Sequence, residues 1–354
     1  MNVEFIIKFT EDRPTGGHKI IFDYANELIK TGNRVSFVFV ADSPFNNRRY
    51  NKIKSVVHYL DYLKRKNNQK NISWYKIDSN INIKVKYKYD TDLVDLETKK
   101  IVCDVGLMMY ISEKVKNFNN YFYFIQHDEK IYTDENIVRE AWKLPVKKIV
   151  VATWLFNLIK NYDSNVFLVK NYINKTDFHL INPIDNRKKI VSMLIHSNPY
   201  KGTDTGIQAL IKAYELYPNF KVLLFGNFEY SGTLPNNFTF LGKLSSKELR
   251  ENVYNESSVF LMPSILEGWG LVATEAMACG AALVSTANGG VDDFGIDNYS
   301  ALVNDVGDVN GLAYSIVKLL KNDQERILIA NNGLDIVNKL IFEKSYSTFE
   351  SVIL

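Results

Sequence analysis

What most limits the fold open to this chain is an alternation sustained from end to end: short apolar runs separated by longer amphipathic stretches. Repeated strand–helix units produce that pattern, and successive units build a parallel sheet whose strands are covered on both faces. Candidate strands in the first half are residues 3–9, 35–40, 101–107, 121–125 and 148–152. In the second half they are 190–195, 221–225, 258–261, 283–285 and 301–303. A helix is predicted over 19–31, with Ile20, Ile21, Tyr24, Leu28 and Ile29 on one face and Gly32 as its C-terminal cap. A chain of 354 residues exceeds what one core usually organises. The least regular stretch is 170–189, so the junction belongs there, between domains at 1–172 and 173–339. The expected fold is α/β, two Rossmann-like domains facing across a cleft onto which the carboxyl ends of both sets of strands open.

Composition narrows the classes. A hydrophobic share of 46% with 23% charged residues fits a soluble globular protein. A net charge of +3 permits an anionic partner without requiring one, and no nucleic-acid partner is expected. The two cysteines, Cys103 and Cys279, lie far apart and outside any metal-ligand spacing, which predicts a reduced, cytoplasmic setting. No apolar run approaches the roughly 18 residues of a membrane span, and the first run carries Glu4 and Lys8, unlike a secretory leader. Residues 46–70 hold eight basic side chains (Arg48, Arg49, Lys52, Lys54, Lys64, Arg65, Lys66 and Lys70) against one acid, Asp61. Ile53, Val56, Val57, Leu60 and Leu63 give that segment one apolar face, suited to peripheral contact with anionic headgroups or to a lipid-linked acceptor.

The chemistry concentrates between Ser258 and Gly280. An apolar strand ends at Pro263, and a loop follows with Glu267, Gly268, Trp269 and Gly270. A helix-forming series then runs from about Val272 to Cys279, placing Glu275 in its first turn. Glycines let a ligand approach the backbone, and the N–H groups opening the helix favour a phosphate. Two carboxylates flanking such a site can only accept hydrogen bonds, which suits hydroxyls on either side of a diphosphate. A bare phosphate would gain nothing from two added negative charges. A sugar nucleotide would.

The run P-S-x-x-E-G-x-G-L-x-x-x-E-A-M-A-x-G resembles the donor-binding signature of the retaining GT-B glycosyltransferases of family 4, which carries two glutamates eight positions apart. The resemblance implies GT-B architecture and transfer of a sugar from a nucleotide diphosphate sugar with retention, without metal or cofactor. It implies that Glu267 meets the transferred sugar and Glu275 the ribose, while the backbone of Gly268, Trp269, Gly270 and Leu271 contacts sugar and diphosphate. Residues 240–249 resemble the family's F-x-G-x-V-S-x-x-E-L segment, with Lys243 and Leu244 facing the base. Phe225-Gly226-Asn227 matches a glycine-bearing turn, Asn171–Asn174 stands where the family has N-G-V-D, and the stretch from about 340 to 354 resembles the helix that returns to complete the first domain. Met193-Leu194-Ile195-His196 adds a likeness to rhamnosyltransferase-like members. The acceptor is expected to be a glycan, or linked to lipid or protein.

Other positions follow from the same expectation. Lys201, at the start of a helix with Gly202, would neutralise the leaving diphosphate. Family members place an arginine five or six residues earlier, where this chain has Ile195 and His196. Gly16 and Gly17 open the first predicted helix and can present N–H groups to the diphosphate or leave room for an acceptor. His127 follows a strand at its carboxyl end, where the family has a histidine near the donor sugar. Two other readings remain open on sequence. One is a GT-A type metal-dependent transferase using Asp90-Thr91-Asp92, and the other is a non-catalytic glycosyltransferase-like binding subunit. An epimerase on the same fold is a third.

Overall fold

A computed structural model describes residues 1–8, 15–42, 45, 56–57, 59–61, 63–64, 72–91, 97–228 and 230–354. The segment 46–70 falls mostly outside them, as does Asp92. The chain divides into two compact units, Met1–Val169 with Tyr346–Leu354, and Lys170–Ser345. No helix among the described residues is long and apolar enough to cross a membrane.

The first unit is a seven-stranded sheet built from β1 (Asn2–Lys8), β2 (Arg34–Val40), β3 (Asn82–Lys86), β4 (Lys99–Val102), β5 (Tyr121–Ile125), β6 (Lys147–Val150) and β7 (Val166–Leu168). Its order is β3-β2-β1-β4-β5-β6-β7. Every neighbour pairs in parallel, with Phe5 opposite Phe37 on one side and Ile101 on the other. Helix α1 (Gly16–Lys30) begins on Thr15, whose side chain accepts the His18 N–H, and buries Ile20, Ile21, Phe22, Tyr24, Ala25 and Leu28. It ends as predicted at Gly32, at φ 83°. The Gly32 N–H reaches Ile29 O and the Asn33 N–H reaches Leu28 O, the two bonds of a Schellman cap.

Three expectations about strands change. Residues 105–107 are not strand: Asp104 accepts the Leu107 N–H and starts helix α2 (Val105–Ser112), so β4 stops at Val102. Ala152 likewise leaves β6 to precede α4 (Thr153–Lys160), which follows α3 (Glu135–Lys143). The edge strand β3, the short β7 and, in the second unit, the edge strand Phe238–Phe240 are additions.

The second unit repeats the plan with β8 (Ile190–Leu194), β9 (Lys221–Phe225), β10 (Phe238–Phe240), β11 (Val259–Met262), β12 (Ala282–Thr286) and β13 (Ala301–Asn304), in the order β10-β9-β8-β11-β12-β13. Helices α5 (Thr203–Leu216), α6 (Leu271–Ala278), α7 (Val309–Lys321) and α8 (Asp323–Val337) complete it. Strand order reverses between β1 and β4 in the first sheet and between β8 and β11 in the second. At such a reversal the helices leave on opposite faces and a crevice opens past the strand ends.

Helix α9 (Phe342–Ile353) starts in the second unit and ends in the first. Within the first unit its Phe349 is fully buried, stacked 4.5 Å from the Tyr24 ring and 6.3 Å from that of Phe5. Truncating such a ring costs about 3–5 kcal/mol.

Candidate functional site

In the second unit the loops leaving β8 and β11 meet at the point of strand reversal. Past β8 the chain turns at Pro199–Lys201, and Gly202 adopts φ 66°. A Cβ on Gly202 would stand closer than 3.0 Å to Pro263 O, so glycine alone lets the two loops touch. Tyr200 O then accepts the Ile265 N–H at 2.7 Å. The β11 loop is held from its other side as well: Glu267 N–H donates to Asn288 O at 3.0 Å, and Gly290 packs against Trp269 O and Glu267 Cβ.

This scaffold brings Lys201 onto Glu267. The Lys201 ammonium lies 2.8 Å from Oε1 and 2.9 Å from Oε2, and the Ser264 hydroxyl donates to Oε1 at 2.8 Å. The Glu267 side chain is 8% exposed and that of Lys201 21%, so water screens the pair only from the lysine side. Charge-assisted bonds of this length, in a partly dry crevice, fix both groups.

Three residues past Glu267, Gly270 at φ 97° heads helix α6. The left-handed turn favours glycine, and a Cβ there would press on Met262 Sδ at 3.0 Å and the Phe294 ring at 3.4 Å. The N–H groups of Leu271 and Val272, the first two of α6, have no carbonyl within the helix to bond, whereas those of Ala273 and Thr274 reach Gly270 O at 3.0 and 3.3 Å. Leu271 is the first helical residue, so Glu275 lies one full turn in rather than in the first turn. Its Oε2 accepts the Tyr254 hydroxyl at 3.3 Å. Tyr254 is fully buried; burial, and then the Glu275 charge, push its ionisation well up, which keeps the phenol a donor.

The turns beyond β9 and β10 join the same edge. Gly226 N–H donates to Gly242 O at 2.9 Å, and Gly226, at φ 141°, leaves no room for a Cβ beside Ile195 O. Lys243 is exposed and Leu244 half-buried just after this turn. The end of β10 lies two strand spacings from β8, about 10 Å. At the position of the family arginine, His196 Nδ1 accepts the Asn198 N–H at 3.0 Å, and the His196 backbone is clasped by the Thr203 hydroxyl.

Three predicted site residues belong to the first unit. Gly16 and Gly17 are the first two residues of α1. Gln126, just past β5, donates to Gly17 O at 2.9 Å, and a Cβ on Gly17 would meet its Oε1 at 2.7 Å. His127 follows at once, half-buried, with the Tyr132 ring edge-on at 5.1 Å. The first unit thus gathers Gly17 and His127, and the second gathers Lys201, Glu267, Gly268, Trp269, Gly270, Leu271 and Glu275. Sequence reasoning gave no role to Ser264, which lies inside the P-S-x-x-E run, and missed Tyr254, Asn288 and Gln126. Ser264 and Gln126 adjoin residues that it singled out, whereas nothing near Tyr254 or Asn288 points to them.

Two Rossmann-like sheets with these loops define the GT-B class of fold, which tells against the GT-A alternative. Residues 174–335 match the family described as Glycosyl transferases group 1. An uncharacterized glycosyltransferase of Methanocaldococcus jannaschii is 30% identical over 206 residues, covering 56% of this chain and 56% of that protein. The chain spans about half the length of the curated relatives that it matches. Among solved structures, sucrose-phosphate synthase from Thermosynechococcus elongatus superposes with a TM-score of 0.72 at 16% identity, covering 99% of this chain and 98% of that one. Anabaena HepE in complex with UDP and glucose gives 0.69 at 15% identity, covering 99% of both.

Proposed function

We propose that this protein is a metal-independent, retaining glycosyltransferase that moves a hexosyl or deoxyhexosyl group from a nucleotide diphosphate sugar to a glycan, lipid-linked or protein-linked acceptor. The observation that carries the reading is the Lys201–Glu267 pair, set at the strand reversal beside the amide-rich start of α6. One cation for a phosphate and one acceptor for sugar hydroxyls meet at 2.8 Å, and the N–H groups that open α6 begin four residues past the acceptor. The group 1 match over residues 174–335 supports it, as does a fold shared with a structure that holds UDP and glucose.

In this reading the acceptor oxygen bonds to the anomeric carbon on the face that the diphosphate leaves. The carbon–oxygen bond to the β-phosphate breaks, and the acceptor's proton passes to the departing phosphate oxygen. Lys201 and the N–H groups of Leu271 and its neighbours stabilise the charge that develops there. Glu267 orients the sugar, Glu275 holds the ribose, and the turn at Lys243 and Leu244 faces the base. Gly16 and Gly17 present amides, and His127 serves the transferred group. A rhamnosyltransferase-like specificity and cytoplasmic work at a membrane surface are the finer parts of the proposal.

The test is a panel of UDP-, GDP- and dTDP-sugars screened by thermal shift, followed by turnover of the best donor with and without EDTA. Stabilisation by one donor and undiminished turnover in EDTA with retained anomeric configuration are expected. An inverted product or loss of turnover in EDTA would overturn the corresponding part, and a protein that binds none of the donors is not this enzyme.

A further inference from the structure

We propose that Glu129 is a positioning residue for His127, acting through the side chain of Tyr132; the inference rests on the role given to His127 above. The groups lie at the carboxyl ends of β4 and β5. Past β5 the chain makes a short turn, Glu129–Ile131, opened by Asp128, whose side chain accepts the Lys130 N–H. The turn points Glu129 inward, where it is 3% exposed. Its Oε1 accepts the Val105 N–H at 2.8 Å and the Tyr132 hydroxyl at 2.9 Å, and its Oε2 accepts the Tyr123 hydroxyl.

Capping accounts for only one contact of this acid, the Val105 N–H that opens α2. Asp104 already caps α2 through the Leu107 N–H, so a second carboxylate at that helix start adds repulsion as well as attraction. Lys130, the nearest cation in sequence, pairs instead with Asp128 at 3.3 Å and Glu135 at 3.6 Å. What Glu129 adds is a hold on Tyr132. The hydroxyl of that ring is anchored on the carboxylate while the ring itself stands edge-on to the His127 imidazole. One side chain therefore connects the buried acid to the candidate site residue.

The acid is also poised to change state. Burial first, and then the Asp104 charge, push Glu129 up to about 8, against the pull of Tyr123, Tyr132 and the Val105 N–H. Cys103 and Tyr123, which face the same cluster, are pushed well up and stay protonated. Below about 8 the carboxyl keeps its proton, and one tyrosine hydroxyl must accept rather than donate. Above it both hydroxyls donate to a carboxylate. The hold of Glu129 on the Tyr132 hydroxyl thus depends on its ionisation, since a carboxylate oxygen accepts more strongly than a neutral carboxyl oxygen, and His127 packs on that ring.

The experiment follows the His127 ring signal by NMR in histidine-labelled protein, assigned among the five histidines with His127→Gln. The expected result is an inflection of that signal near pH 8, absent from Glu129→Gln and Tyr132→Phe. No inflection in the wild type, or the same inflection in Glu129→Gln, overturns the proposal. With the donor found by the panel, Tyr132→Phe should lower kcat about ten-fold at unchanged KM, and Glu129→Gln should restore most of what Glu129→Ala loses. Neither loss should appear in a His127→Ala background, because a residue acting only through His127 has nothing left to position. Equal losses in both backgrounds overturn the proposal. If no nucleotide sugar is turned over at all, the proposed function has failed, and the NMR result alone decides the link between Glu129 and His127.

Discussion

Lys201 and Glu267, 66 residues apart in sequence, meet as a two-point ion pair at 2.8 and 2.9 Å, and each already satisfies the other. A donor that takes a phosphate to the lysine and a hydroxyl to the glutamate must loosen the bond that now joins them. The crevice is thus set in shape and charge before the donor arrives, a form of preorganisation that lowers the cost of binding.

The pair makes an asymmetric prediction. Lys201→Met leaves a carboxylate that is 8% exposed with the Ser264 hydroxyl but no counter-charge, whereas Glu267→Gln leaves a lysine that can still reach water. Removing one partner of a fully buried pair costs roughly 3–5 kcal/mol, and the open lysine side reduces that to about 2 kcal/mol for Lys201→Met. Glu267→Gln should cost under about 1 kcal/mol, and the double variant less than Lys201→Met alone. Urea unfolding measures all three. Turnover should be lost in each, and a folded Glu267→Gln protein that keeps wild-type turnover would remove the role given to that residue.

Gly202 and Gly307 separate backbone strain from crowding. Both are left-handed, at φ 66° and 82°, but a Cβ at Gly307 meets nothing within 4 Å while one at Gly202 collides with the Pro263 carbonyl. Gly307→Ala should cost only the left-handed penalty, about 1–2 kcal/mol. Gly202→Ala should cost clearly more, and should also weaken donor binding because the β8 and β11 loops must part. Equal losses of stability in the two variants would show that contact between these loops is not what requires the glycine.

How much of this was legible depends on where each residue sits. Central strands such as β1, β5 and β9 are apolar on both faces, so their sequences stand out as continuous runs. Edge strands β3 and β10 carry exposed polar positions, and β7 is only three residues long, too short for any pattern. The run from Val105 to Leu107 is as apolar as a strand, and only the Asp104 side chain decides for helix. Glu267 and Glu275 were readable because eight residues of one loop and helix hold their spacing. The Lys201–Glu267 contact and the bond from Tyr254 to Glu275 were not, since each joins segments brought together by sheet order alone.

His18 sets an expectation for the acid limb of stability. It lies in the first turn of α1, its ring stacked 5.9 Å from Phe22, and burial lowers its pKa to about 4. The unfolded chain takes up the proton near 6.5, so the contribution is whole above that pH and is lost as pH falls toward 4. Between pH 7 and pH 5 the loss is about 2 kcal/mol from this group. His18→Phe, which keeps a ring to stack, should be less sensitive to that change by the same amount in urea unfolding. Identical slopes for the two proteins would mean that the imidazole is not kept neutral by the fold.

Tyr254 carries the prediction that bears most directly on the nucleotide. Its ring is locked among Phe178, Phe225 and Phe260, with centroids 5.7–5.8 Å away, so Tyr254→Phe should fold with stability close to wild type. What disappears is one donor to Glu275 Oε2. If Glu275 grips the ribose, a carboxylate freed from the phenol rotates more widely and loses up to about 1.4 kcal/mol of binding, a factor of ten. Calorimetric titration with the matching nucleoside diphosphate should show that loss, while Glu275→Ala should weaken binding further and show no added effect of Tyr254→Phe. A Tyr254→Phe protein that binds as tightly as wild type would leave the phenol with a packing role and Glu275 held by other means.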